Sequence, residues 1–133
     1  VIEGASAVIG FLKAAFDTEV TGITYGPERP DGSRLFMNAE VRVGSGRIMI
    51  ADSREGAPAN LVDLCCYVED VDACHARALA AGGEEIMPPM DMFYRDRHGG
   101  VKDPAGNLWY IASRIEDLAD KELQAREDKF NEG

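Results

Sequence analysis

The sequence predicts an α+β fold built from two tandem βαβββ modules. Three observations carry this. A β-α-β-β-β order of patterns runs through the chain twice. Ile2-Glu3-Gly4-Ala5-Ser6-Ala7 matches Val68-Glu69-Asp70-Val71-Asp72-Ala73 in position and pattern. The stretch Val101 to Ser113, VKDPAGNLWYIAS, reads as strand, tight turn and strand, and its last strand answers Arg47 to Asp52 of the first half. Each module is half a core, so the two must bury their sheets against each other or against another chain.

The first module spans residues 1–52, and its first strand is expected to be truncated to Val1–Gly4. Val8, Ile9, Leu12, Ala15 and Phe16 recur at helical spacing, which predicts a helix over Ala5–Phe16 with Ser6 as its N-cap. Thr18–Tyr25 has a β-type pattern, and Pro30-Asp31-Gly32 is a turn. Leu35–Val43 alternates, with Leu35, Met37, Ala39, Val41 and Val43 on one face and Phe36, Asn38, Glu40 and Arg42 on the other. Gly44-Ser45-Gly46 turns the chain into a strand over Arg47–Ala51.

Residues 53–60 are polar and small and form the linker; residues 61–114 form the second module. Leu61–Val68 is predicted to be a strand. Asp70–Ala81 is predicted to be a helix that Gly82-Gly83 ends. A strand starting at Glu84 is expected to break at Pro88-Pro89, and Met90–Arg97 to continue as an irregular strand or loop. In the hairpin, Pro104 presets φ and Gly106 can take a positive φ. Leu108, Tyr110 and Ala112 then share one face of the last strand, and Trp109, Ile111 and Ser113 the other. Residues 115–133 form a charged helical tail with a weak stripe at Leu118, Leu123 and Phe130, which Asp120 could cap. Such a tail is either a solvated helix or one that packs on a partner subunit.

At 133 residues the chain is one domain, large enough to bury a core without staples. A formal net charge of −10 argues against nucleic acid or an anionic membrane as partner, because both are bound by basic patches. No apolar run approaches the ~20 residues of a membrane helix. Three cysteines, Cys65, Cys66 and Cys74, without a CxxC motif fit free thiols in a reducing compartment, hence a cytoplasmic protein. Cys66 reads as a core residue. His75 is expected at an exposed or snorkelling helix position, and His98 in a loop or at a strand edge.

The stretches YVEDVDACHARALAAGG and MPPMDMFYRDRHGGVKDPAGNLWYIAS, with the trailing IEDL, resemble the glyoxalase/bleomycin-resistance/dioxygenase superfamily, also called vicinal oxygen chelate proteins, in its PhnB-like branch. The resemblance covers nearly the whole chain. It implies that the two βαβββ modules form a curved mixed sheet around a cup, and that the protein is a homodimer, in some members with exchanged modules. It also implies one divalent metal with four His, Glu or Gln ligands. Those ligands activate two neighbouring substrate oxygens through the metal.

Carried across, the first-strand ligand of the second module falls at Asp63 and the last-strand ligand at Tyr110. The last-strand ligand of the first module falls near Met49, and Asn38 stands where the branch often has His. Met49 is a poor donor for a hard cation and Tyr110 an uncommon one. The expectation is therefore no cofactor, with one divalent metal as the alternative.

One face of the strands lines the cup and presents Phe36, Asn38, Glu40, Met49, Asp63, Cys65, Tyr67, Leu108 and Tyr110, a mixture that suits a small-molecule pocket. Glu40 and Asp63 are either a carboxylate pair with one raised pKa or structural partners of Arg42 and Arg47. Met92-Phe93-Tyr94 with Arg95-Asp96-Arg97 forms a second candidate rim, over the cup mouth or at a dimer contact. The leading expectation is a metal-free protein that binds a small molecule in the cup or at the dimer interface. The alternatives are a metal-dependent lyase, isomerase or dioxygenase using Asp63, Glu40 and Tyr110, and a dimeric scaffold whose cup is filled by its own side chains.

Overall fold

A computed structural model describes residues 1–133. Its elements are α1 (Ala5–Phe16), β1 (Glu19–Glu28), β2 (Arg34–Val43), β3 (Gly46–Ile50), β4 (Asp63–Tyr67), α2 (Val71–Ala80), β5 (Glu84–Asp91), β6 (Asp96–Lys102), β7 (Leu108–Arg114) and α3 (Asp120–Glu132). They form two sheets, of order β1-β2-β3 and β4-β7-β6-β5. Only the β4–β7 pair is parallel; all other neighbours are antiparallel.

The first module has no full counterpart of β4. Beside β3 the only parallel pairing is the bridge between Ile2 and Asp52. Ile2 donates to Ala51 O and accepts from Ser53 N, both at 2.9 Å.

One core unites the modules. Helix α1 buries Val8, Ile9, Phe11, Leu12 and Ala15, and α2 buries Val71, Cys74 and Ala78. These pack on Ala39, Val41 and Ile50 of the first sheet and on Val101, Trp109 and Ile111 of the second. The helices thus cover the face that carries the odd residues of β2 and β7. Apolar burial of this kind supplies most of the folding drive, at roughly 25 cal/mol per Å². The helices also meet each other. Ala15 O, orphaned at the end of α1, accepts from Cys74 Sγ at 3.3 Å and Arg77 Nε at 3.2 Å.

Several local expectations change. Helix α1 is capped across the fold. Gly4 sits at the cap with φ 69°, and the Ala5 N–H donates to Asp52 Oδ1 at 2.9 Å. Ser6 therefore lies inside the helix. Asp52 Oδ2 also accepts from Phe36 N at 2.9 Å, so one carboxylate ties α1 to β2. Asp70 caps α2 through its bond from Ala73 N, and Gly82 follows with φ 98°. Asp120 is the first residue of α3, and Ala119 occupies the cap.

Strand β5 runs through Pro88-Pro89 instead of breaking there, because it is the sheet's edge and needs no outward donors. Its register slips on both sides of Met87. In the first sheet the edge strand β1 contains Pro27 and slips at three points. His98 is a β6 residue, not a loop or edge position.

His75 is buried at 4 % exposure, not exposed on its helix. Gly99 makes the room: a Cβ there would come within 2.8 Å of His75 Nδ1. His75 Nε2 pairs with Glu85 Oε1 at 3.1 Å. Cys74 is buried, Cys66 half-buried and Cys65 exposed, all as free thiols. Burial pushes the Cys66 thiol up to about 11.

The hairpin turn is closed by a buried Asp103. Its carboxylate accepts from Ala105 N (2.8 Å), Asn107 N (3.1 Å), Asn107 Nδ2 (3.0 Å) and Trp109 Nε1 (2.9 Å). Gly106 adopts φ 94°. Asn107 Oδ1 in turn accepts from Val62 N at 3.1 Å and anchors the approach to β4.

Candidate functional site

Strand alternation places one set of side chains on the helix side and the other on the open side. On β7 the buried Trp109 and Ile111 face the helices, so Leu108 and Tyr110 face away. Register extends this open face. Asp63 lies opposite Leu108, Cys65 opposite Tyr110, and Tyr67 and His98 both opposite Ala112. Asp96 lies opposite Arg114.

In the first sheet the open face carries Asn38, Glu40 and Met49, with Met49 opposite Glu40; Phe36 lies past a register slip between β1 and β2 and packs against the core instead. Phe36 packs its ring 5.2 Å from that of Tyr25. Glu40 Oε1 accepts from Thr21 Oγ1 at 2.8 Å and pairs with Arg47 at 3.1 Å. Its carboxylate is thus held within its own sheet, while Asp63 stands exposed on the other. The structure does not join them as a carboxylate pair.

The second sheet holds the chemically distinctive part. Tyr67 is half-exposed, and its hydroxyl donates to Asp96 Oδ2 at 2.5 Å. Asp96 is buried, with Arg114 Nε 3.7 Å from its other oxygen. The Arg114 guanidinium also lies 5.9 Å from the centre of the Tyr67 ring. Next along β6, His98 Nδ1 meets the Tyr94 hydroxyl at 2.5 Å. The His98 ring stands edge-on to Tyr110, 5.0 Å between centroids.

The electrostatics assign these pairs. The bond to Asp96 raises the Tyr67 hydroxyl above its ordinary pKa. Burial does the same for Tyr94 and, against the pull of Asp96, holds His98 below its ordinary value. Near neutral pH, Tyr94 therefore donates to a neutral His98 Nδ1, and the imidazole proton sits on Nε2, which has no partner. Burial raises the Cys65 thiol as well, so it is a weak nucleophile there.

Tyr94, Asp96 and His98 were not among the cup residues expected from the sequence. Their signal was the spacing Asp96, His98, Gly100 on one strand face, opposite Tyr110. The Met92–Arg95 turn that carries Tyr94 is clasped by the tail. Phe93 stacks on Phe130 at 4.5 Å, Arg126 Nη1 donates to Phe93 O at 3.2 Å, and Arg95 Nη1 donates to Leu118 O at 3.2 Å.

Of the nine expected cup residues Phe36 packs against the core, and no enclosed cavity gathers the others. An apolar cavity of about 300 Å³ lies elsewhere, between β3 and β4. Its walls include Val8, Ile48, Ile50, Leu64 and Trp109, and of the nine only Met49 touches it.

Two βαβββ-type halves with helices packed on one face of their sheets make up the glyoxalase/bleomycin-resistance fold. The family model described as glyoxalase/bleomycin resistance protein/dioxygenase superfamily matches residues 5–111. The chain belongs to this superfamily. An uncharacterized protein of Mycobacterium bovis is 30 % identical over the whole chain and 91 % of its own length. Among solved structures, TioX from Micromonospora is similar at TM-score 0.63 and 20 % identity, covering 89 % of this chain and 95 % of that one. TnmS3, an antibiotic binding protein from Streptomyces, is similar at TM-score 0.64 and 18 % identity, covering 85 % and 88 %. A PhnB protein from Bacillus cereus is similar at TM-score 0.58 and 21 % identity, covering 84 % and 92 %.

The metal-ligand positions that the resemblance implies are Asp63, Tyr110 and a place near Met49. These side chains do not fit a divalent cation. They offer one carboxylate, one phenol and one thioether, on three different strands. No group of three or more His, Cys, Asp or Glu side chains converges on a common point.

Proposed function

We propose that the open face binds a small organic molecule of largely aromatic character without a metal, in a homodimer whose second subunit completes the cup. The supporting observation is the pair of locked contacts Tyr67–Asp96 and Tyr94–His98. They hold aromatic rings and hydroxyls in fixed positions on one face, beside Tyr110. Pre-positioned rings lower the ordering cost of binding. An offset aromatic contact adds about 0.5–1.5 kcal/mol beyond area burial. That TnmS3 is an antibiotic binding protein is consistent with this use of the fold.

The test is a melting-temperature screen with neutral and charged planar aromatics, N-phenyl-1-naphthylamine included. A ligand at a hundred times its Kd adds about 2.7 kcal/mol of stability. That stabilisation should vanish in Tyr67→Ala and Tyr110→Ala, with a dimer by sedimentation at the same concentration. A screen without a stabilising compound overturns the binding role, as does stabilisation that survives both substitutions. A monomer in the presence of ligand overturns the dimeric cup.

A further inference from the structure

We propose that the ligand of the open face is a neutral aromatic carbonyl compound whose oxygen accepts a hydrogen bond from His98 Nε2. This assignment of ligand class rests on the open face being an aromatic-binding surface and sharpens that role.

His98 has two unlike ring nitrogens. Nδ1 meets the Tyr94 hydroxyl. A phenol keeps its proton at neutral pH, so Tyr94 donates to Nδ1 and the imidazole proton stays on Nε2. Nε2 is shut off from solvent and has no partner within the protein. A buried N–H without an acceptor weakens the ligand-free state, and an oxygen brought to it recovers that loss.

Register and ring chemistry set the direction of this N–H. His98 stands opposite Ala112, in the same row as Tyr67, and Tyr110 occupies the next row opposite Gly100. Its side chain therefore rises on the open face. Nδ1 adjoins Cγ, whereas Nε2 lies at the end of the ring far from the backbone, so the unspent donor points outward. The rings packed on His98 belong to Tyr110, edge-on with 5.0 Å between centroids, and Tyr94, edge-on at 6.1 Å. Gly100 gives the Tyr110 ring its place, since a Cβ there would stand 3.4 Å from Cδ1 and Cε1. Tyr94 and Tyr110 are both half-buried. Each has solvent on one side, and turning one of these rings aside uncovers Nε2. The displaced ring then flanks the incoming molecule in the tilted or offset contact that aromatic pairs prefer.

The neighbouring groups narrow the ligand's chemistry. The Tyr67 hydroxyl is committed to Asp96 Oδ2, and Arg114 lies 3.7 Å from Asp96 Oδ1. His98 Nε2 is thus the unspent donor of the cluster, and an acceptor oxygen is what it lacks. Asp63 and Asp96 share this face, and the chain carries a net charge of −10. A carboxylate ligand meets repulsion there that a ketone or amide does not.

The probes are 2-acetylnaphthalene, 2-isopropenylnaphthalene, in which a methylene replaces the carbonyl oxygen, and 2-naphthoate. Their Kd values are taken from melting-temperature titrations near neutral pH. Parent and His98→Phe are compared, with far-UV circular dichroism confirming that the variant is folded. The ratio of ketone to alkene affinity should fall about tenfold or more in His98→Phe, because the ketone oxygen then enters without a donor. In the parent, the carbonyl stretch of the bound ketone should lie below its value in cyclohexane.

An unchanged affinity ratio in His98→Phe overturns the assignment and leaves the open face as an aromatic site. A bound carbonyl stretch equal to that in cyclohexane does the same, and this measurement needs no variant. Binding of the alkene without the ketone, or tighter binding of 2-naphthoate than of the ketone, also overturns the neutral carbonyl class alone. Absence of binding by all the probes counts against the aromatic-binding role itself and overturns the assignment with it.

Discussion

Asp103→Ala is the substitution that most directly tests how the hairpin holds the fold. The Asp103 carboxylate accepts from two backbone and two side-chain donors, and Asn107 Nδ2 and Trp109 Nε1 are buried. Alanine leaves both side-chain donors without an acceptor, at about 1–3 kcal/mol each. The Ala105 and Asn107 amides lose a charge-assisted partner as well. We expect a total near 4 kcal/mol. With an unfolding entropy of about 2.1 cal/mol/K per residue, a 133-residue domain should lose roughly 14 °C of Tm. Asp103→Asn keeps one acceptor and the volume and should lose about half as much. The assay is urea unfolding at constant pH, followed by Trp109 fluorescence and by far-UV circular dichroism. A loss below about 1 kcal/mol in Asp103→Ala would refute the reasoning, because it would mean that water replaces the carboxylate at little cost.

Three further outcomes are expected. Gly83→Ala should cost about 1–3 kcal/mol by overpacking, since its Cβ would lie 2.4 Å from Val101 Cγ1 and 2.8 Å from Ala78 O; a Tm equal to the parent's rejects that geometry. His98 is held below its ordinary pKa by burial, so the unfolded chain takes up its proton first as the pH falls. Its contribution is present above the ordinary value of about 6.5 and is lost toward lower pH; His98→Gln should flatten stability between pH 7 and 5 relative to the parent, and an unchanged slope rejects the assignment. Tyr67→Phe removes the hydroxyl donor to Asp96 and should cost about 1–2 kcal/mol in equilibrium unfolding, whereas a neutral result means that Arg114 alone satisfies the carboxylate.

Periodicity and turn chemistry made most of the architecture legible. The helical spacing of Val8, Ile9, Leu12 and Ala15 and the turn around Gly106 are local signals, and local signals survive folding. The misread features depend on residues distant in sequence. Asp52 replaces Ser6 as the α1 cap from 47 residues away. His75 is buried because Gly99, on another element, leaves a gap for its ring. The prolines in β5 looked like a break because its place at the sheet edge is a topological fact. On the open face, alternation located Cys65, Tyr67 and Tyr110. Tyr94 was assigned to a rim, because its turn is shaped by Arg95 in a left-handed conformation and by the distant Phe130.

The irregular edges of the two sheets bear on how the protein behaves when concentrated. A flat, regular edge is a template on which like molecules stack without limit. Here β1 is broken by Pro27 and three slips, and β5 lacks two donors at Pro88 and Pro89 and slips twice. Neither rim can propagate a ladder. The molecule is thus built to resist fibrous self-assembly by the shape of its margins, and its charge of −10 reinforces this.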